Sequence, residues 1–359
     1  MRAVHLVVRG FRNLADLELE LPPEGAAFLG PNGQGKTNLL EALYYPVLCR
    51  SFRGASDAQV AGWDGPGFRV GLDAATNGGL SFEATFTRAD RVKRLVVNGS
   101  ETPRLLDALG HWLAVVFQPG DLHLVQGGAS ARRQYLDRVL SLTDEGYLRA
   151  LMRYRSAVSQ RNAALRGGRN DVAAVFAGSL AEAGARVVRG RQAWVAAWQG
   201  RFAEECAQLG EPQSASFEYR GNPALVDPLA WPDALRDVAH REVRRGVTLV
   251  GPQRDELALT LGGRILREVG STGQQRTAAV ALKLCELAAL GVSRGTEPAL
   301  LLDDVFAELD RDRQERLAAR LGGPGVRQVF VTAPRRDELP PGFPLPTFEI
   351  LGGVVRGET

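Results

Sequence analysis

One stretch near the N-terminus constrains the fold more than any other, because it places three glycines, a lysine and a threonine at fixed spacing. Residues 30–37 read Gly-Pro-Asn-Gly-Gln-Gly-Lys-Thr, which fits the G-x-x-x-x-G-K-[ST] pattern of a phosphate-binding loop. An apolar run (26–29) precedes it and a helix-like run (39–48) follows. Strand, glycine turn and helix N-terminus therefore come in the order that such a loop requires. The alternative is a chance glycine turn, and the flanking strand and helix argue against it.

The residue types in this loop suit ATP and Mg²⁺. Glycines let several backbone N–H groups converge on phosphate oxygens. Lys36 would reach the β- and γ-phosphates, and the Thr37 hydroxyl would ligate Mg²⁺. The chain has 41 arginines but only three lysines, so a lysine kept at position 36 indicates that a compact charge is needed. The predicted nucleotide contacts in the loop are Gly30, Asn32, Gly33, Gln34, Gly35, Lys36, Thr37 and Asn38.

Composition is that of a globular protein that works in a reducing compartment. The chain has 359 residues, of which 45% are hydrophobic and 24% charged, so it can build one large domain and a smaller one. Its 3 cysteines are widely spaced and form no C-x-x-C pair, which argues against zinc and for a reducing compartment. The sequence shows no signal-peptide core and no apolar run near the ~18 residues of a membrane span. We therefore expect a cytoplasmic protein without membrane contact.

Hydrophobic periodicity divides the chain into three segments. Residues 1–126 show alternating apolar runs typical of strands and form the first lobe of an ATPase head. Residues 127–210 show apolar residues at helical spacing, with a natural turn at Gly167-Gly168. We predict a short antiparallel helical arm there, inserted into the head. Residues 211–359 return to strands and helices and form the second lobe.

The arm is unevenly basic. Its 13 arginines and 7 acidic residues give it a net charge of +6, while the whole chain carries only +3. A basic projection is expected of a protein that follows a phosphate backbone, although a solvated helix surface is an open alternative. Trp194 and Trp198 fit a helix core better than base stacking. The predicted DNA contacts are Arg132, Arg133, Arg149 and Arg153.

The second half supplies further residues for ATP chemistry. Four apolar residues (299–302) lead into Asp303 and Asp304, which fits a Walker B strand. Asp303 would hold Mg²⁺ through water, and Asp304 would polarise the attacking water as general base. Gln118 ends a short buried strand and fits a glutamine that contacts both Mg²⁺ and that water. The predicted catalytic residues are thus Lys36, Gln118 and Asp304.

The segment Ser271-Thr272-Gly273-Gln274 opens a long helix. It has a simple explanation as a helix N-cap. It also offers what a γ-phosphate needs from a second subunit, namely a capped helix N-terminus with a bare glycine, and both explanations can hold. Phosphate loop, glutamine, this signature and Walker B follow one another as in the ATP-binding-cassette head. The sequence therefore predicts an α/β fold of that type with mixed sheets and an ATP-dependent homodimer.

The chain resembles the RecF family of bacterial recombination mediators, relatives of the heads of Rad50 and the structural-maintenance-of-chromosomes (SMC) proteins. The resemblance covers nearly the whole chain. Its motifs are Phe11-Arg12-Asn13, Gly30-Pro31-Asn32-Gly33, Gly127-Gly128 with Arg132-Arg133, Gly251-Pro252-Gln253-Arg254-Asp255, Ser271-Thr272-Gly273-Gln274-Gln275 and Leu302-Asp303-Asp304. It implies that Arg12 and Arg53 lie near the nucleotide.

The resemblance also implies a function. Proteins of this family bind duplex DNA, single-strand/double-strand junctions and single strands at gaps, where they assist RecR and RecO in loading RecA. ATP would close the dimer on DNA, and slow, DNA-dependent hydrolysis would release it. Three departures bear on this: Gln253 replaces the usual histidine of the family, Asp304 is a methylene shorter than the glutamate of transporters and Rad50, and Thr332 replaces their strand-end histidine. The last two changes predict a switch with slow turnover.

Other classes remain to be separated. A long-armed tether would need hundreds of coiled-coil residues, far more than the arm offers. The ATPase subunit of an ABC transporter shares the nucleotide motifs but would not retain DNA. A non-hydrolysing DNA scaffold would keep DNA binding when Lys36 is replaced by arginine.

Overall fold

The computed structural model describes residues 1–63, 65–76, 78–321, 327–340 and 344–357. The strands are β1 (Arg2–Arg9), β2 (Leu17–Glu20), β3 (Gly25–Leu29), β4 (Gly67–Ala75), β5 (Leu80–Thr87), β6 (Val92–Val97), β7 (Ser100–Glu101), β8 (Ala114–Phe117), β9 (Ala215–Arg220), β10 (Glu256–Leu261), β11 (Arg264–Ile265), β12 (Ala299–Asp303), β13 (Val329–Ala333), β14 (Thr347–Leu351) and β15 (Val354–Gly357). The α-helices are α1 (Lys36–Leu48), α2 (Asp57–Val60), α3 (Leu105–Ala108), α4 (His123–Gln126), α5 (Ala129–Thr143), α6 (Glu145–Arg166), α7 (Asn170–Val175), α8 (Ala177–Gln208), α9 (Trp231–Arg245), α10 (Leu266–Val269), α11 (Thr272–Arg294) and α12 (Arg311–Leu321).

The chain forms two compact units, and they divide it at other points than the three predicted segments. The first unit combines Met1–Gly120 with Glu286–Thr359, and the second is Asp121–Cys285. The second unit extends beyond the predicted arm because β9 pairs antiparallel with β10 over six residues and packs on α8. Residues 211–285, which the sequence placed with the head, therefore belong to the unit that contains the arm helices.

A mixed sheet organises the first unit, with strand order β15-β14-β3-β13-β12-β8. All pairs from β14 to β8 are parallel, and only β15 runs antiparallel to its neighbour. Strands β3, β12, β13 and β8 are buried at every residue, as expected for parallel strands covered on both faces. This sheet carries the strand ends that surround the phosphate loop.

Helix α1 lies between two sheets. It packs against β8, β12 and β13 of the mixed sheet and against β4 and β5 of a second, antiparallel sheet, whose order is β2-β1-β4-β5-β6-β7. Residues 39–48 are all buried, as expected for a helix that packs against other elements on all sides. The Trp112 indole donates a hydrogen bond of 3.1 Å to the Leu43 carbonyl. This bond ties the middle of α1 to the segment that leads into β8.

In the second unit, α6 packs against α8 and α5 against both. The predicted turn at Gly167-Gly168 follows the end of α6, and Gly168 takes a left-handed φ of 68°. Trp194 stacks on Phe217 with ring centroids 5.4 Å apart and is buried, so it belongs to the core as expected. β9, β10 and β11 form a small antiparallel sheet. Among the described residues, no helix is both long and apolar enough to cross a membrane.

Candidate nucleotide site

The mixed sheet brings the predicted ATP residues of the first unit to one edge. β3 runs into the phosphate loop, β12 ends at Asp303, β13 contains Thr332, and β8 ends just before Gln118. Because these four strands are parallel neighbours, their carboxyl ends share one edge of the sheet. Ligands of open α/β sheets bind at that edge.

Lys36 lies inside the curve of the phosphate loop. Its Nζ donates to the Gly30 carbonyl at 2.6 Å and to the Pro31 carbonyl at 3.3 Å, and lies 3.4 Å from Asn32 Oδ1. The side chain is only 4% exposed. The ammonium is therefore fixed among loop oxygens at the N-terminus of α1, where a helix favours negative charge.

Two glycines of the loop occupy positions that no other residue could take without a shift. At Gly30 an added Cβ would lie 2.3 Å from the Ile350 carbonyl oxygen, and the φ of 154° is itself unfavourable for a side chain. At Gly35, the cap of α1, φ is 112° and an added Cβ would lie 3.0 Å from the Leu14 side chain. The loop geometry thus depends on glycine, which has no side chain, at these two positions.

Asp303 and Thr37 meet across the site. The Thr37 hydroxyl donates to Asp303 Oδ1 at 2.8 Å, which joins the phosphate-loop helix to the Walker B strand. Burial raises the pKa of the Asp303 carboxyl above its ordinary value, whereas the hydrogen bond from Thr37 acts in the opposite direction. A hydroxyl and a buried carboxylate so close together form an oxygen pair of the kind Mg²⁺ takes at phosphate sites.

Asp304 follows with a left-handed backbone, φ 47°, a conformation that costs a non-glycine residue about 1 kcal/mol or more. Thr332 supports this turn: its hydroxyl oxygen accepts the Asp304 N–H at 2.9 Å and lies 3.0 Å from Asp303 Oδ1. The Thr332 hydroxyl also lies 3.3 Å from Asp304 Oδ1, so it contacts both carboxylates.

A cleft of about 470 Å³ joins these groups. Lys36 and Asp304 lie on its wall together with Gln118 and Arg53, so charged and polar side chains line it. Most of the predicted site residues of the first unit therefore line this one cleft. The lining residues are Asn32, Gly33, Gly35, Lys36, Thr37, Asn38, Arg53, Gln118, Pro119, Asp303 and Asp304.

Gly30, Gln34 and Arg12 complete the predicted set but do not line the cleft. Gly30 holds Lys36, as described above. Gln34 instead accepts the Gly352 N–H through its side-chain oxygen at 2.7 Å, which fixes the loop to the turn after β14. The nucleotide contacts predicted for these residues stay predictions.

Arg12 is paired with a buried carboxylate, Glu41, that belongs to none of the sequence motifs. Its Nε and Nη2 donate to the two carboxylate oxygens of Glu41 at 3.0 and 2.7 Å, and its Nη1 donates to the Gln59 carbonyl at 2.9 Å. Glu41 lies on α1 and is fully buried. A lone carboxylate in the apolar run 39–48 was the signal that could have identified it, because buried charges require a partner.

In the second unit the signature opens α11 in the geometry of a capping box. The Ser271 N–H donates to Gln274 Oε1 at 2.9 Å, and the Gln274 N–H donates to Ser271 Oγ at 3.3 Å. Ser271 and Thr272 are exposed, and Gly273 is half-buried. Gln275 is buried and donates to the Gly270 carbonyl at 3.1 Å. The cap predicted at this position is present, and its serine, threonine and glycine reach solvent.

Arg132 does not have the exposure that a DNA contact needs. It is 5% exposed and forms a bidentate ion pair with Glu256 at 2.8 Å for both bonds. Its Nη1 donates to the backbone carbonyls of Leu124 and Gly127 at 3.0 and 2.8 Å. All three nitrogens are thus engaged inside the unit, so this geometry does not support the predicted phosphate contact.

The other three predicted DNA residues differ among themselves. Arg133 is half-buried and donates to the Asp255 carbonyl at 2.7 Å. Arg149 and Arg153 are exposed on α6 and, four residues apart, share one helix face. Arg149 Nε donates to Glu145 at 3.1 Å. The exposed pair on α6 is the part of the predicted surface that is accessible.

Comparisons with known proteins agree on the relatives of this chain. Among curated proteins it is 37% identical over 380 residues to DNA replication and repair protein RecF of Anaeromyxobacter sp. (strain Fw109-5), with 99% of each chain covered. It is 34% identical over 334 residues to the protein of that name from Geobacter sulfurreducens, with 91% of each covered. No family model matches the sequence.

Among solved structures, the chain is likewise similar to RecF. The recombination mediator protein RecF with ATP, from the RecFOR pathway, matches with a TM-score of 0.91 and 28% identity, covering 100% of this chain and 98% of that one. The Smc head domain from Pyrococcus furiosus matches with a TM-score of 0.57 and 16% identity over 99% of this chain and 95% of that one, which shows a shared fold. The predicted ABC-type α/β fold is confirmed. With its full-length likeness to the curated relatives, the chain belongs to the RecF family of DNA replication and repair proteins.

Proposed function

We propose that the protein is an ATP-dependent, DNA-binding recombination mediator whose homodimer closes on ATP and opens after slow hydrolysis. One observation carries the proposal: Lys36 and Thr37 share a single cleft with Asp303 and Asp304 in a chain of the RecF family. A phosphate-binding loop facing paired carboxylates is what hydrolysis of ATP to ADP and phosphate requires.

The residues of the cleft divide the work among them. The backbone N–H groups of 33–38 and the Lys36 ammonium bind the β- and γ-phosphates. Asp304 accepts a proton from the attacking water. The Thr332 hydroxyl oxygen accepts a hydrogen bond of 2.9 Å from the Asp304 backbone N–H and so holds Asp304 in place. Gln118 orients the water from the neighbouring strand end. Because Asp304 is short and its turn is strained, we infer slow turnover.

The donor set fits Mg²⁺. Thr37 and Asp303 offer a hydroxyl and a carboxylate 2.8 Å apart, and Gln118 adds an amide oxygen on the same cleft. Such sites use one or two protein ligands and leave the remaining positions to phosphates and water. The ion, when bound, offsets the charge that develops on the phosphates.

The signature acts in trans. Ser271, Thr272 and Gly273, with Gln274 holding the cap, present a helix N-terminus to the γ-phosphate bound by the other protomer, so nucleotide stabilises the dimer by mass action. The capping box described above and the exposure of Ser271 support this role. Conversely, cleavage of the bond between the β- and γ-phosphates, which yields ADP and phosphate, removes the group that the signature contacts and releases the pair.

Replacing Ser271 by arginine is expected to abolish ATP-dependent dimerisation while the monomer still binds ATP. The added side chain places bulk and positive charge where the partner's nucleotide would dock, but it leaves the protomer's own phosphate loop intact. Sedimentation velocity with and without ATP, combined with nucleotide binding, measures both effects. Ser179→Arg makes the same change at an exposed position on α8 and should dimerise normally. If the wild type shows no ATP-dependent change in mass, the clamp is excluded.

Exposed arginines of the second unit contact DNA phosphates, so binding has little sequence preference and depends on salt. Wild-type affinity for duplex should rise with ATP and fall steeply with salt. Arg153→Ala should weaken binding and reduce the slope of log K against log salt by about one. Fluorescence anisotropy across a salt series, with and without ATP, measures this. Arg94→Ala removes an exposed arginine on β6 of the first unit and serves as the control.

The same DNA-binding experiment distinguishes the proposed function from that of a transporter ATPase subunit. The ATPase subunit of a transporter should retain no DNA under any condition, so absence of ATP-dependent retention would contradict the proposal. Comparison of gapped with continuous duplex tests the narrower part, namely that the protein recognises single-strand/double-strand junctions and there assists RecR and RecO in loading RecA. RecF structures of the RecFOR pathway at 28–29% identity support that placement.

A further inference from the structure

We propose that Glu41 is a positioning residue of the nucleotide site: its buried carboxylate, neutralised by Arg12, holds Arg53 at the wall of the phosphate cleft. The inference rests on the proposed function, because it concerns how the same cleft binds ATP. Glu41 lies five residues after Lys36 on α1 and is 0% exposed. A carboxylate in that position needs partners, since an unpaired buried charge is strongly unfavourable.

The partners of Glu41 are not equivalent. Arg12 makes the bidentate pair at 2.7 and 3.0 Å, which satisfies both oxygens in the geometry that guanidinium and carboxylate prefer. Arg53 Nη1 lies farther away, 3.7 Å from Glu41 Oε2. Arg12 does not line the cleft, whereas Arg53 does. Arg12 is therefore the counterion, and Arg53 is attracted to Glu41 but keeps donors for a phosphate.

A second connection runs through Ser51. The Ser51 hydroxyl donates to Glu41, and the same oxygen accepts the Arg53 N–H at 3.0 Å. Ser51 is buried, so this bridge lies away from bulk solvent. Glu41 therefore orients both the backbone and the side chain of Arg53, and neither depends on the nucleotide for its position.

Arg53 is also tied to the phosphate loop itself. Its Nη1 donates to Asn38 Oδ1 at 3.0 Å, and Asn38 Nδ2 donates to Asn13 Oδ1 at 2.6 Å. Asn13 Nδ2 then donates to the Gly33 carbonyl at 3.1 Å. Through the Ser51 bridge and Arg53, hydrogen bonds thus connect Glu41 with the loop. Preorganisation of this kind increases affinity, because binding does not have to order the side chain.

A double-mutant cycle on ATP affinity tests the inference. Glu41→Gln should raise the Kd for ATP about tenfold, and in an Arg53→Ala background the same change should have almost no further effect, because residues that act through one another are non-additive. Glu242→Gln is the matched control: Glu242 is 0% exposed and pairs with Arg161 at 2.5 Å in the second unit. It should lower thermal stability without changing the Kd.

The outcomes are distinct. If the wild type does not bind ATP, the proposed function fails. If it binds ATP but Glu41→Gln weakens binding equally with and without Arg53, Glu41 does not act through Arg53 and the inference is wrong. Should Glu41→Gln not fold, Ser51→Ala decides, because it removes the bridge and keeps every charge. If Ser51→Ala lowers ATP affinity by less than about tenfold and this loss disappears in the Arg53→Ala background, the inference is supported. If Ser51→Ala leaves the Kd for ATP unchanged, the inference is overturned.

Discussion

Replacing Lys36 by methionine is expected to lower kcat/KM for ATP by about 100-fold or more, since a donor aimed at developing charge typically contributes that much. The methionine side chain is similar to that of lysine in length and carries no charge. The substitution therefore removes the ammonium and keeps a side chain of similar size. The ATP-dependent rise in DNA affinity should disappear with it. Steady-state ATPase assays and DNA anisotropy with ATP measure the two effects on one preparation.

Arginine at position 36 should not restore activity, although it keeps the positive charge. Lys36 Nζ lies 2.6 Å from the Gly30 carbonyl in a site that is 4% exposed, and a planar guanidinium is larger and has a fixed set of donor directions. Lys36→Arg should therefore behave like Lys36→Met. A variant that retained DNA with undiminished ATP dependence would show that the loop is not the switch.

Lys93 provides a matched control in the same unit. It is half-buried, pairs with Asp57 at 2.9 Å and donates to the Cys49 carbonyl at 2.9 Å. Lys93→Met removes a comparable ammonium and should lower thermal stability while ATP turnover remains near the wild-type value. If both lysine variants lost ATPase activity to the same degree, the effect would be one of folding.

The nucleotide motifs were readable from the sequence because each is local. The loop 30–37 needs only its own glycines and the helix that follows, and Asp303 and Asp304 need only the apolar strand before them. That they meet follows from parallel strand ends sharing an edge of one sheet. Similarly, the box of Ser271 and Gln274 lies within four residues.

Long-range partners could not be predicted in the same way. Arg132 is buried and pairs with Glu256, which lies 124 residues later in the chain. Two further arginines are likewise buried in ion pairs, Arg161 with Glu242 and Arg191 with Asp137. A net charge of +6 therefore overstates the basic surface of the arm, since composition does not distinguish an exposed arginine from a structural one.

The unit boundary depends on a partner in the same way. β9 follows the arm directly and gives no local sign that it will pair with β10, which begins at Glu256. The sequence therefore predicted an arm that ends at 210, whereas the compact unit continues to Cys285. β9 both packs on α8 and pairs with β10, and hydrophobic periodicity reports neither contact.

Replacing Asp304 by asparagine is expected to reduce ATP hydrolysis by ~100- to 10,000-fold, the range that a general base contributes. ATP binding should persist, because the side chains of Lys36 and Thr37 are unchanged. Asparagine also tolerates the left-handed φ of 47° at this position, and the backbone N–H that donates to Thr332 is retained. Single-turnover hydrolysis and equilibrium ATP binding separate the two steps.

If ATP is the ligand that holds two protomers together, this slow variant should also remain closed. After a chase that removes free ATP, Asp304→Asn should stay dimeric and bound to DNA far longer than the wild type, in proportion to its lost turnover. Asp73→Asn changes an exposed carboxylate on β4 and should release DNA at the wild-type rate. A variant that hydrolyses slowly yet releases DNA at the normal rate would separate hydrolysis from opening, and the switch would then depend on dissociation of the nucleotide.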